Sequence, residues 1–182
     1  MRINHVIPPV KSSFLSMEKD LGIIIDKITS NPRLQKLVYY NTKDPLREDD
    51  LTEDQLQEMM EHSIKIVPYI DHSQNMYNYI IIDFDNFMPN ETNPEFRDNM
   101  IYIDVLCHKS VWQMRDFQSR PYRIAAEIDA MLDKQRLTGI GKLEFLGTNQ
   151  ATIPNSDYGG VTLMYYAVHG EEDKQGDPNP FG

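Results

Sequence analysis

From Tyr79 the apolar residues of this chain recur at every second position, and that change of period constrains the fold more than any other feature of the 182 residues. In YNYIIIDFDNF, Tyr79, Ile81, Asp83 and Asp85 alternate with Ile80, Ile82, Phe84 and Asn86. Successive side chains of a strand point to opposite faces, so this stretch has one apolar side and one that turns polar toward its end. After the connection NFMPNETNPEFRDN the pattern resumes: Ile101, Ile103, Val105 and Cys107 share one side, and Tyr102, Asp104, Leu106 and His108 share the other. Two such strands joined by a long polar loop predict a hairpin whose apolar face requires a cover.

The cover is encoded directly downstream. In SRPYRIAAEIDAMLDK, Pro121 suits a first helical turn, Ile124, Ile128, Met131 and Leu132 form a stripe, and the paired alanines allow close approach to a sheet. The glycines of LTGIG end that helix. Two more strands are predicted, GKLEFLG with Leu143 and Phe145 inward, and Val161 to Val168, apolar on both faces and therefore central or at a subunit contact. TNQATIPNSDYG between them is expected to be a turn-rich connector.

Upstream, Leu21, Ile24, Ile25 and Ile28 recur at three and four and predict a helix from about Ser13 to Thr29. A shorter helix follows Pro32, and a third starts at Thr52, where Gln55 can return the capping bond and Leu51 can close on Leu56. The third stripe runs through Leu56, Met60, Ile64 and Val67 to Pro68. The expected fold is α+β, a four-stranded antiparallel-rich sheet with helices packed on one face. It forms one domain over 13–169, with an inserted loop and helix at 42–67. Pro8 and Pro9 make 1–12 an expected extended arm, and 170–182, with little to bury, an expected flexible acidic tail.

With 28 acidic against 18 basic side chains the net charge is −10, which disfavours general binding to phosphate backbones. The start of the chain lacks the apolar core of a secretion signal and no apolar run approaches a bilayer's thickness, so a cytoplasmic product is expected. Cys107, the single cysteine, cannot form an internal disulfide and is expected to be a buried small hydrophobe.

Two groups of residues bear on chemistry. If the hairpin pairs, Asp83, Asp85, Asp104 and His108 share the face opposite the apolar stripe, where carboxylates could hold Mg²⁺ for phosphoryl transfer. The competing reading is the wet face of a half-buried sheet, and no motif supplies a general base, a zinc-ligand spacing or a phosphate-binding glycine loop. No catalytic residue, metal or cofactor is therefore assigned. The second group is HKSVWQMRDFQSRPYR, where Lys109, Arg115, Arg120 and Arg123 are interleaved with Trp112, Phe117 and Tyr122. That mixture suits stacking on bases or anchoring a protein contact, and the overall acidity favours the contact, through Trp112, Arg115, Phe117 and Arg120.

The order helix, two strands around a long loop, helix, two strands, with RPYRIAAEIDAMLDKQRLTG between the strand pairs and GGVTLMYYAVHG closing the sheet, resembles the neck and tail-completion proteins of tailed bacteriophages. The tail-terminator proteins are the type it is most similar to, over roughly Ser13 to Gly170. The resemblance implies a structural virion protein, assembled in the host cytoplasm, that forms a ring, commonly a hexamer in that family, at the head-proximal end of the tail. Its partners would be other copies of itself, the tail tube protein and a neck or connector protein, with DNA passing through the channel without specific binding. The loop bearing Pro89, Glu91, Asn93, Glu95, Phe96 and Arg97 would meet the tube or a neighbour, and Asp83, Asp85 or Asp104 would face the lumen. The segment from Thr42 to Val67 departs from that pattern, which leaves a connector or head-closure ring as the alternative. An alternative of another class is a Mg²⁺-dependent phosphoryl-transfer enzyme or nuclease using Asp83, Asp85 and Asp104.

Overall fold

A computed structural model describes residues 13–67, 76–89, 97–137, 141–154 and 156–169. Four α-helices, α1 (Ser13–Thr29), α2 (Pro32–Tyr39), α3 (Glu53–Ser63) and α4 (Arg120–Leu132), accompany the strands β1 (Ile64–Lys65), β2 (Tyr79–Pro89), β3 (Arg97–His108), β4 (Arg136–Leu137), β5 (Gly141–Thr152) and β6 (Tyr158–His169). The strands lie in the order β1-β2-β3-β6-β5-β4. β1 runs parallel to β2, every other neighbouring pair is antiparallel, and the sheet curls into a half-barrel.

This corrects the expected four-stranded, antiparallel-rich sheet to a six-stranded mixed one. The two additional strands are two residues long, too short for a period of two to register in sequence. β1 also arises where the α3 stripe was expected to continue: Ile64 leaves the helix with φ −94° and ψ 122° and starts a strand. β5 runs on through Thr148–Thr152, residues expected to be connector, because a ladder to β6 from Gly147↔Met164 to Thr152↔Gly159 satisfies a backbone whose side chains are polar. A bulge between Phe145 and Gly147 resets the alternation there.

The main core lies between the sheet and the helices. Ile124, Ile128 and Leu132 of α4 share it with Ile101, Ile103 and Val105 of β3 and Val161, Leu163 and Tyr165 of β6. α1 adds Ile24 and Ile28, α2 adds Leu34, Leu37 and Val38, and α3 adds Met59. Fully burying each such aliphatic side chain contributes about 1.5–3 kcal/mol, and that gain holds helices and sheet together. Cys107 belongs to this core, and burial pushes its thiol up to about 12, a poor state for a nucleophile. α2 and α4 are joined at the surface by Glu127, which accepts from Asn31 Nδ2 at 3.1 Å and pairs with Arg33 Nε at 2.8 Å.

The other face of the sheet is not uniformly wet. Tyr79, Ile81, Leu106 and Tyr158 form a second buried cluster there, with Tyr77, Ala151 and Ile153 against it. The polar residues of the same face, Asp83 and Asp85 among them, begin where that cluster stops. Among the described residues no helix is long and apolar enough to cross a membrane.

The capping box at Thr52 forms as the sequence predicts: Gln55 N donates to Thr52 Oγ1 at 3.3 Å, and Thr52 N donates to Gln55 Oε1 at 3.0 Å. Thr52→Ala should therefore cost about 1 kcal/mol in urea unfolding, while Thr52→Ser should cost far less. Equal losses for the two substitutions would remove the cap from the account of α3.

Candidate assembly surface

Between the end of β3 and the start of α4, residues 109–119 fold into two short 3-10 turns, Lys109–Val111 and Arg115–Phe117, which present one aromatic ring to solvent. The base of this segment is held by several contacts. Trp112 lies half-buried beside Gly159, with its indole N–H donating to Ser119 Oγ at 2.7 Å. Gln113 and Ser119 form an isolated antiparallel bridge, and Met114 N donates to Gln118 O at 2.8 Å, closing the loop between them. Lys43 and Asp44 brace it from the side: Lys43 Nζ reaches Gln113 O at 2.8 Å, Arg115 N donates to Lys43 O at 3.0 Å, and Arg115 Nε pairs with Asp44 at 2.6 Å.

At the tip, Asp116 (φ 56°) and Phe117 (φ 58°) are both left-handed, a conformation that aspartate tolerates and that costs about 1–2 kcal/mol for a residue such as phenylalanine. The bracing contacts hold it. Its effect is to leave Phe117 92% exposed, and Tyr122 on the first turn of α4 is 61% exposed. The surroundings thus hold strained backbone in place and project a large aromatic ring into water.

Beneath the loop, Arg120 is completely buried. Its guanidinium donates to four backbone carbonyls: Val111 O at 2.9 Å through Nε, Leu37 O at 2.8 Å and Tyr40 O at 2.7 Å through Nη1, and Thr42 O at 2.6 Å through Nη2. Leu37 and Tyr40 lie at the carboxyl end of α2, where the helix dipole favours a cation. Desolvation pulls this guanidinium below its ordinary value, opposed by the nearby Cys107 sulfur. Arg120 therefore fastens the loop to α2 from inside the protomer, rather than offering its charge at the surface with Trp112, Arg115 and Phe117. No composition signal separates it from Arg115; only burial does.

The acidic residues expected to share a face do so. Asp83 pairs with Tyr102 and Asp104 with Ile81 in the β2–β3 ladder, so Asp83, Asp85 and Asp104 lie on the face away from the helices. Asp83 and Asp85 are exposed, while Asp104 is half-buried and accepts a hydrogen bond from Thr162 Oγ1. Among the described residues no three Asp, Glu, His or Cys side chains come together as a metal-holding group. His108 is turned to Ser110 Oγ, 2.6 Å from its Nδ1, and packs edge-on against Tyr158. Of the loop expected to reach a partner, Pro89 and Arg97 pair across its base, and Glu91, Asn93, Glu95 and Phe96 lie outside the described residues, as do the arm 1–12 and the tail 170–182.

The model of the YomW family matches residues 31–167, which span α2 to most of β6. The chain belongs to the YomW family. The matched region includes the braced loop, Arg120 with all four of its carbonyl partners, and the whole acidic face. Curated proteins compared by sequence give no match to this YomW-family chain. Among solved structures, a chain described as part of the virion of a native gene transfer agent (GTA) particle is 14% identical, with 80% of this chain and 96% of that one covered and a TM-score of 0.41. Likeness at that level is weak.

Proposed function

We propose that this chain is a structural virion component, a tail terminator that forms a ring at the head-proximal end of a phage tail and surrounds the DNA channel. The observation that carries the reading is the braced loop at Phe117. A protein spends backbone strain on an exposed aromatic where another surface covers it, and Tyr122 and Arg115 beside it have the chemistry of a contact anchor. The sequence resemblance to tail terminators supplies the type of assembly. In this reading Trp112, Arg115 and Phe117 lie at a partner interface, the loop from Pro89 to Arg97 reaches the tail tube protein or a neighbouring copy, and Asp83, Asp85 and Asp104 face the lumen. There the acidic face would keep DNA from adhering as it passes. A connector or head-closure ring would use the same surfaces one step nearer the head.

The test is to purify tailed particles from cells expressing the tagged full chain, and to locate the chain by mass spectrometry and electron microscopy. It should be a stoichiometric component at the head-proximal end of the tail. Phe117→Ala should leave thermal stability unchanged or slightly raised, because the ring buries almost nothing in the protomer, yet deplete the chain from particles at least tenfold, about 1.4 kcal/mol of contact energy. Particles that lack the wild-type chain would overturn the reading, and undiminished incorporation of Phe117→Ala would remove Phe117 from the interface.

A further inference from the structure

The two long edges of the sheet differ in a way that bears on how copies meet. On the β5 side, β4 pairs only with Gly141 and Lys142, and the backbone of Gln135 and Lys134 then satisfies Leu143. From Gly147 to Thr152 no described strand pairs with the outer side of β5. That stretch, GTNQAT, carries neither charge nor proline. Unguarded edges of this kind are open to another strand, and proteins usually protect them with charges, prolines or a cover. The β2 side is built differently. β1 pairs with Ile80 and Ile81 only, and beyond them β2 carries the exposed Asp83 and Asp85 and ends in Pro89.

We infer that β5 of one copy adds to β2 of a second copy of this chain, continuing the sheet from protomer to protomer. Three observations select this partner. Two β2 edges brought together would set Asp83 and Asp85 against their own counterparts, and like charges directly across strands are destabilising. The uncharged β5 edge accepts the acidic one without that penalty, in a chain whose net charge of −10 otherwise makes copies repel. Asn149, exposed on β5, also lies on the same face as Asp83, since its ladder partner Thr162 faces Asp104 across β3. Its amide can donate to carboxylates that only accept.

The geometry of the continuation is regular. β3 is antiparallel to β2 and to β6, and β6 to β5, so β5 and β2 of one protomer run in opposite directions. A second copy in the same orientation then meets β5 with an antiparallel β2 and keeps its helices on the same side. The contact is head-to-tail, the kind that closes a ring when the rotation between copies is a whole fraction of a turn. The inference deepens the proposed ring by naming the strands through which its copies meet.

The experiment is sedimentation of the purified full chain at about 0.1 mM, a concentration at which a contact worth about 5.5 kcal/mol is half-formed. Wild type should form species larger than a dimer. Asn149→Asp, which sets a carboxylate against Asp83 and Asp85 of the next copy, should weaken association about fivefold per contact, and adding Asp83→Asn and Asp85→Asn in the same chain should restore it. All three positions are exposed, and an unchanged circular dichroism spectrum would verify the fold. A wild-type monomer, or a dimer whose Asn149→Asp defect is not restored by the β2 changes, as β5 meeting β5 would give, overturns the inference. Self-assembly by a chain absent from tailed particles would overturn only the proposed function, and incorporation of a chain that does not pair through β5 only this one.

Discussion

Gly160→Ala is expected to lower the stability of this protein by about 3 kcal/mol or more. A Cβ built on Gly160 lies 1.7 Å from the carbonyl oxygen of Val105 and 2.9 Å from its carbonyl carbon. These are backbone atoms of β3, near one end of the ladder that joins β3 to β6, where Gly160 pairs with Leu106 on one side and Ala151 on the other. No rotamer can move them aside, so one of the two central strands must shift and carry its buried side chains with it. Gly159 is the control. There the nearest atom is Cζ3 of Trp112 at 3.1 Å, part of a side chain, and Gly159→Ala should cost about 1 kcal/mol as the indole gives way. Urea unfolding of both variants checks the contrast, and equal stabilities would mean that the close approach at Gly160 does not hold in solution.

Loss of the Arg120 guanidinium is expected to be comparably damaging. Arg120→Met keeps an apolar stem of similar length but leaves the carbonyls of Leu37, Tyr40, Thr42 and Val111 without their donor. A buried polar group left unpaired costs about 1–3 kcal/mol, and with some of the four relaxing toward water a total of about 4 kcal/mol follows. Arg120→Lys should recover only part of it, because a compact ammonium cannot span four acceptors arranged around a planar fork. The loss should be accompanied by faster amide exchange at the end of α2 and in residues 109–119, the two segments that this side chain joins. A stable Arg120→Met protein with unchanged exchange would show that the carbonyls do not depend on the guanidinium.

These two residues also mark where reading the sequence succeeds and where it stops. The onset of a period of two at Tyr79 and again near Ile101 anticipates β2 and β3, and the stripe Ile124, Ile128, Leu132 anticipates the helix that covers them. Each rests on a repeat that extends over many residues, and each buries apolar surface in proportion to that repeat. The Thr52–Gln55 box is equally local and equally legible. The edges of the sheet are not. β1 and β4 exist because neighbouring backbone is within reach, and no side-chain pattern of two residues can announce that. At the candidate surface, composition singles out the segment from Trp112 to Arg120 but treats Phe117 and Arg120 alike. One is 92% exposed on a strained turn, and the other is entirely enclosed by backbone oxygens. Likewise, Tyr79 and Ile81 alternate with the core residues of β2 as a solvent-facing pair would, yet a second buried cluster absorbs them.

By itself the sequence determined the local elements with long periodicity, the helix starts encoded by side chains that cap their own backbone, and an excess of negative charge. These depend on neighbours within a turn or two of the chain, whose interaction does not wait for the rest of the molecule. Only the tertiary structure decided the number and order of strands, which tyrosines of the polar face are buried, and whether a given arginine holds the protomer together or faces another surface. Those outcomes depend on which distant backbone arrives within hydrogen-bonding distance, and a one-dimensional pattern carries no information about that distance.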